Sequence, residues 1–315
     1  MKTPVVLVTG FLGSGKTTLI SRLLQRPELG ETAVIVNELG EVGIDHHLLR
    51  HVDERTVLLS SGCVCCILRG DLSNELRDLL NRRDAGEIPP FRRVVIETSG
   101  VAEPAPIVHT LLTDPLLPHH YSLASVVATV DGEHGLRGHE ALRQVAAADT
   151  LVVTKADAAA PASLDALESE LARINPTARV VRASFGEIDP ELLLSPARRD
   201  VRDVPSLEDG DHHRHDIEAM VLTLERSIDW TAFGIWLTML LHARGSEILR
   251  LKGLLDTGRD GPLLVDCVQH AVHPPVHLES WPDDDRRSRL VVIGVGLERE
   301  PLERSLAAFD GVARR

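Results

Sequence analysis

The stretch Gly10-Phe11-Leu12-Gly13-Ser14-Gly15-Lys16-Thr17, directly after the mostly β-branched run Val5–Val8, fits the pattern G-x-x-x-x-G-K-[ST]. The pattern dictates local structure. A strand must deliver the chain to Gly10, and glycines must let consecutive backbone N–H groups turn toward phosphate oxygens. A helix must then begin near Lys16 so that its positive end faces the same anion. Lys16 is placed to reach the β and γ phosphates and Thr17 to offer its hydroxyl to Mg²⁺. Gly10, Gly13, Ser14, Gly15 and Thr18 complete the candidate nucleotide contacts. A glycine turn between strand and helix is the plainer alternative.

The rest of the chain agrees with an α/β fold. Short apolar runs at Ala33–Val36, Thr56–Leu59, Val94–Ile96, Val126–Val130, Leu151–Val153 and Val180–Val181 read as buried strands. Leu72, Leu76, Leu79 and Leu80 share one helical face, as do Leu164, Leu167, Leu171 and Ile174. Strands alternating with helices predict a P-loop NTPase fold, a mostly parallel sheet flanked by helices. This domain is expected over residues 1–197, a polar, histidine-containing linker over 198–216, and a smaller α+β domain over 217–315. In the last, strands are predicted at Ile217–Leu224, Ile248–Leu255, Leu263–Gln269, Val276–Trp281 and Leu290–Gly294. One helix is predicted from Asp229 to Arg244 and another from Pro301, both on one face of an antiparallel sheet.

Composition excludes some classes of function. With 34 Lys+Arg against 47 Asp+Glu and a net charge of −13, the chain lacks the basic surface that displaces phosphate counterions, so no nucleic-acid partner is expected. No apolar run approaches the roughly 18 residues of a membrane span, so no membrane association is expected either. Clustered cysteines without an export signal predict thiols in a reducing, cytoplasmic setting rather than a disulfide framework.

Thr154-Lys155-Ala156-Asp157 follows an apolar run and bears on the choice of nucleotide. A carboxylate only accepts hydrogen bonds, so Asp157 suits the N1–H and amino donors of guanine and opposes the N1 lone pair of adenine. GTP is favoured over ATP. The motif resembles N-K-x-D, with Thr154 in place of Asn. Glu97, in Glu97-Thr98-Ser99-Gly100, is expected at the carboxyl end of a central strand, where a carboxylate holds Mg²⁺ waters or orients the attacking water. Asp131, closing Val126–Val130, is a lesser candidate of the same type, and a solvated strand-end acid is the alternative for both.

Gly62-Cys63-Val64-Cys65-Cys66 packs three soft ligands into four positions. An extended backbone would put Cys63 and Cys65 on one side and Cys66 on the other. Thiolates favour Zn²⁺ or Cu(I), and zinc takes four ligands, so the motif alone does not close a site. Glu38 or Glu41 in the segment Asn37–Asp45, a histidine, or a client protein could supply the remainder. Asp45 is a lesser candidate, as are the imidazoles of His212, His213 and His215.

Taken together, these motifs resemble those of the CobW family of metal-related P-loop GTPases, and the likeness spans nearly the whole chain. The C-x-C-C between the phosphate loop and Glu97 is its most specific element, and Leu249–Gly253 with Leu290–Gly294 is similar to the family's C-terminal domain. The resemblance implies Mg²⁺-dependent GTP hydrolysis coupled to handling a transition metal. Zinc chaperoning, cobalt use in cobalamin synthesis and nitrile hydratase activation all occur in the family. It points to a metallochaperone that holds Zn²⁺, or alternatively Co²⁺ or iron, and delivers it to a client metalloprotein; a homodimer is compatible with it. γ-Phosphate contacts with the segment Asn37–Asp45 could reposition Glu38 or Glu41 relative to Cys65. A P-loop kinase or ATPase with an ordinary acceptor, and a non-catalytic zinc store or sensor, are the competing readings.

Overall fold

The strand that ends in the phosphate loop, β1 (Thr3–Gly10), is central in a seven-stranded sheet. In this computed structural model, residues 2–37, 57–61, 70–194 and 217–313 are described. The chain divides into two compact units, Met1–Leu171 with Ala178–Ala197, and Ala172–Thr177 with Arg198–Arg315. Glu38, Glu41, Asp45, Cys63, Cys65, Cys66, His212, His213 and His215 lie outside the described residues, as does the linker expected at 198–216.

In the first unit β1 is joined by β2 (Thr32–Asn37), β3 (Val57–Ser61), β4 (Arg93–Glu97), β5 (Tyr121–Asp131), β6 (Thr150–Thr154) and β7 (Arg179–Arg182). The strand order is β3-β2-β4-β1-β5-β6-β7, and every neighbouring pair is parallel. Val5, Val6, Leu7 and Val8 are all buried, because a parallel sheet is covered on both faces by its crossover helices. Chain order leaves β1 toward β2 on one side and β5 toward β6 on the other. The carboxyl ends of β1 and β5 therefore border the crevice where open α/β sheets bind ligands.

The helices are α1 (Lys16–Leu24), α2 (Gly70–Asp84), α3 (Ala105–Thr113), α4 (Leu117–His120), α5 (Gly138–Ala147), α6 (Pro161–Ile174) and α7 (Pro190–Leu194). The two leucine-bearing faces read from the sequence, on α2 and α6, are both buried. Asp114 fastens α2 to the α3–α4 corner. Its carboxylate accepts from Ser73 Oγ at 2.6 Å, from Arg77 Nη2 at 2.9 Å, and from the N–H groups of Leu116 and Leu117. Burial alone would raise its pKa, but these donors hold it well below the usual carboxylate range.

The second unit is an antiparallel sheet of order β11-β10-β9-β13-β8, with β12 paired to β10. Its strands are β8 (Ile217–Leu224), β9 (Ile248–Leu255), β10 (Leu263–Val268), β11 (Ala271–Val272), β12 (Val276–His277) and β13 (Ser288–Val295). The helices α8 (Trp230–Arg244) and α9 (Arg299–Ala313) share one core with the sheet. In it Phe233, Trp236, Leu302 and Leu306 meet Leu222, Leu251, Val265 and Val292. Asp229 caps α8 by accepting from the N–H of Ala232 at 2.8 Å. The strand expected over Val276–Trp281 is only Val276–His277. The next pair is only half made: the Leu278 N–H donates to the Pro262 carbonyl at 3.0 Å, but Pro262 has no N–H to return, and Leu278 and Trp281 pack on Leu254 and Leu264. Among the described residues no helix is long and apolar enough to cross a membrane.

Two outcomes are expected. Because folding depresses the pKa of Asp114, its contribution is present above the ordinary value of 3.8 and lost as pH falls below it; the stability advantage of wild type over Asp114→Asn in denaturant titrations shrinks over that range. Trp236→Ala empties a site in the second core and removes the Nε1 hydrogen bond to Ser305, costing about 3–5 kcal/mol by the same measurement.

Candidate functional site

At the end of β1 the backbone turns through Gly10 (φ 142°), Gly13 (φ 74°) and Gly15 (φ 90°), the last being the N-cap of α1. A Cβ at Gly10 would lie 2.2 Å from Thr129 Oγ1, so only glycine allows the loop to press against β5. No described side chain caps α1 and no acidic residue occupies its first turn. Its N-terminal N–H groups and positive dipole end thus suit an anion.

Three hydroxyl hydrogen bonds hold the loop and the end of β1. Ser14 Oγ lies 2.6 Å from Thr129 Oγ1, Thr154 Oγ1 donates to the Ser14 carbonyl at 2.7 Å, and Thr98 Oγ1 donates to Thr9 Oγ1 at 2.9 Å. The same hydroxyl lies 3.1 Å from the Val130 carbonyl, so its one proton is shared between two carbonyls and joins loop, β5 and β6 through one side chain. Where N-K-x-D has asparagine, a hydroxyl therefore makes the link to the loop. Lys16 folds back over the loop, and its ammonium donates to the carbonyls of Gly10 at 2.9 Å and Phe11 at 3.3 Å.

Thr17 Oγ1 donates to Glu97 Oε1 at 2.6 Å, although the two residues are 80 positions apart. Glu97 is 2% exposed at the carboxyl end of β4. The hydroxyl and the carboxylate singled out as Mg²⁺-related candidates thus share one point beside the loop. Both offer oxygen donors, the chemistry a small hard cation requires.

Asp131 points elsewhere. Its Oδ2 accepts from Lys155 Nζ at 2.7 Å and lies 3.1 Å from His134 Nδ1. Burial tends to raise its pKa, but Lys155, His134 and the N–H groups of Glu133 and His134 bring it below the ordinary value. Asp131, Glu133 and His134 place ligand atoms within 4.8 Å of one another. A cavity of about 60 Å³ beside the loop is lined by Phe11, Ser14, Thr129, Asp131, His134 and Gln144, among others. Lys155 has a left-handed backbone (φ 52°), and Asp157 Oδ1 accepts from the N–H of Phe185 at 3.3 Å.

The structure therefore brings together Gly10, Gly13, Ser14, Gly15, Lys16, Thr17 and Glu97 around the loop, and Thr154 ties them to the motif that carries Lys155 and Asp157. Thr18 follows on α1. Sequence reading passed over Thr9, Thr98 and Thr129. A hydroxyl near the end of an apolar strand, or just after it at Thr98, is the signal for them.

A glycine loop opening a helix at the carboxyl edge of an all-parallel sheet, with a lysine and a threonine at its close, defines a P-loop NTPase. Its relatives specify which. Residues 4–182 match the family described as CobW/HypB/UreG, nucleotide-binding domain, and residues 217–310 match the cobalamin synthesis protein cobW C-terminal domain. The chain belongs to the CobW family of P-loop GTPases. It is 34% identical to the zinc chaperone YjiA of Escherichia coli (strain K12) over 98% of both chains. It is 30% identical to the zinc chaperone CobW of Pseudomonas aeruginosa, over 97% of this chain and 91% of that protein. The crystal structure of Zn(II)-bound YjiA GTPase from E. coli superimposes with a TM-score of 0.75 at 31% identity, covering 98% of this chain and 99% of that one.

Thr154→Val removes the hydroxyl that serves two buried carbonyls while keeping the volume. It is expected to lower stability by about 1–3 kcal/mol in urea titrations and to weaken nucleotide binding, because the loop loses a tether.

Proposed function

We propose that this protein is a GTP-hydrolysing metallochaperone that holds a transition metal, zinc, through Cys63, Cys65, Cys66 and Glu38 and delivers it to a client metalloprotein according to nucleotide state. The observation that carries this reading is the register at one edge of the first sheet. Asn37 pairs with Ser61, and Val36 pairs with Glu97. The chain thus leaves the sheet toward Glu38 from a strand end next to the one from which it leaves toward Cys63, beside the strand whose Glu97 bonds Thr17. A change at the γ-phosphate has a short route, through the Thr17–Glu97 hydrogen bond and the pairing of neighbouring strands, toward both groups of candidate ligands. Zinc chaperones that match nearly end to end support the choice of metal.

In this reading Asp157 selects guanine by accepting from its N1–H and amino group. The backbone N–H groups of the loop bind the β and γ phosphates, and Lys16 compensates charge that builds between them in the transition state. Thr17, with Glu97 beside it, would hold Mg²⁺, which would supply charge neutralisation at the phosphates. Whether through the Mg²⁺ waters or by orienting the attacking water, Glu97 serves the attack of water on the γ phosphorus, which gives GDP and phosphate. Structural zinc sites bind with apparent free energies of about 10–16 kcal/mol, so spontaneous release is slow and a hydrolysis-driven change of ligands supplies a route for delivery. Reduced thiols suit a cytoplasmic setting. The domains assigned to this function are 1–197 and 217–315, joined by 198–216. Cobalt is the second reading, because the C-terminal match is to a cobalamin synthesis protein.

The test is a competition titration of Zn²⁺ and Co²⁺ against a chelator, with a non-hydrolysable GTP analogue or GDP present, on wild type and Cys65→Ala. Tighter zinc binding in one nucleotide state, lost in Cys65→Ala, is the expected result. Equal affinity in both states, or a cobalt preference that the variant leaves intact, overturns it. GTP turnover abolished by Lys16→Ala separates hydrolysis from mere storage.

A further inference from the structure

Beyond β7 the chain makes a tight turn, Ser184-Phe185-Gly186-Glu187. Ser184 and Glu187 pair across it, and the Glu187 N–H donates to the Ser184 carbonyl at 2.9 Å. Both central residues have positive φ, 55° at Phe185 and 78° at Gly186. Turns of this kind favour Asn-Gly, because a bulky L residue at the first position is sterically disfavoured. Phe185 is also 67% exposed, so its ring does not recover the strain by packing. Neither the turn nor the core accounts for an aromatic residue here, and a strained, exposed ring calls for a role outside the fold.

Its surroundings supply one. The Phe185 N–H donates to Asp157 Oδ1, so the ring is carried on the backbone that touches the candidate base-reading carboxylate. The Ala156 N–H donates to the carbonyl of Ala183 at 3.3 Å, which holds the two loops edge to edge. On the other side the turn is seated on the helix of the phosphate loop. A Cβ at Gly186 would come within 3.1 Å of the Thr18 carbonyl and 3.0 Å of Arg22 Cγ. Glu187 further pairs with Arg26 at 3.0 Å. The turn that carries the ring is thus fixed between the phosphate-binding helix and Asp157, in the stretch that a nucleotide with its phosphates on the loop and its base edge at Asp157 must span.

We propose that Phe185 is the stacking platform for the purine base of the bound nucleotide. Every base has a π-face, so the ring supplies affinity for the base as a whole, while Asp157 selects guanine by its edge. The turn residue and the carboxylate act as one unit through their shared hydrogen bond. The proposal rests on the assignment of Asp157 to the base, and the experiment separates the two.

The measurements are equilibrium affinities of the full-length protein for GDP, for ADP and for inorganic pyrophosphate, the last having phosphates and no base. Phe185→Asn gives the turn its favoured residue and removes the ring. It is expected to lose about ten-fold in GDP affinity, with pyrophosphate affinity and the nucleotide-free unfolding midpoint not lowered. Phe185→Trp keeps a ring. The native tryptophans, Trp230, Trp236 and Trp281, all lie in the second unit, so emission gained over wild type reports position 185. That emission is expected to be quenched by GDP and not by pyrophosphate. GDP affinity of Phe185→Asn within about two-fold of wild type, or equal losses for GDP and pyrophosphate, overturns the proposal. If wild type instead binds ADP as tightly as GDP, the assignment of Asp157 to guanine fails, while the ring is still judged by whether Phe185→Asn weakens both nucleotides and spares pyrophosphate.

Discussion

Everything at the nucleotide site depends on holding a bare stretch of backbone, Gly10 to Gly15, in a shape it would not keep alone. Glycine loops lose the most conformational freedom on ordering, at a cost of about 1–2 kcal/mol per residue. The structure offsets that cost with contacts to neighbouring strands. Gly10 lies against Thr129, Ser14 is held by Thr129 and Thr154, and Lys16 closes the loop onto its own carbonyls. The tethers from Thr129 and Thr154 start near strand ends, so the rigidity of the parallel sheet is passed to the loop. An anion meets donors already in position, and little ordering remains to oppose binding.

The same architecture handles charge. A chain with a net charge of −13 repels a nucleotide at long range, yet Lys16 and the N-terminus of α1 make a local positive well at the head of β1. Glu97 and Asp131, the carboxylates on either side, are both engaged: Glu97 with Thr17 and Asp131 with Lys155. Acids beside an anion site would otherwise oppose phosphate. Paired with a hydroxyl and an ammonium, they position the groups that face the ligand.

In the proposed function, nucleotide chemistry and metal handling meet at the strands on the β2 side of β1. The order β3-β2-β4 sets Ser61, Asn37 and Glu97 at adjacent carboxyl ends, within one residue of the same level. The second unit is built on other principles. Its antiparallel sheet is covered on one face by α8 and α9, and hydrophobic burial rather than a ligand loop sets its layout.

The sequence by itself determined the local framework. The seven strands, the buried faces of α2 and α6, and the turn from β1 into α1 were legible because each follows from short-range periodicity and from glycine's access to positive φ. It was less informative where a strand's length depends on its neighbour, as at Val276–Trp281, where Pro262, just before β10, has no N–H to continue the pairing. Only the tertiary structure could decide which distant residues meet. Thr17 and Glu97 are 80 residues apart, Ser14 and Thr154 are 140 apart, and the hydroxyls of Thr9 and Thr129 had no motif to announce them. Phe185 was silent for the same reason: nothing in Ala183-Ser184-Phe185-Gly186 marks it until the register of β6 and β7 brings its N–H to Asp157. Motifs record chemistry that is contiguous in the chain. Contacts across a sheet are set by strand order and register, which no local pattern encodes.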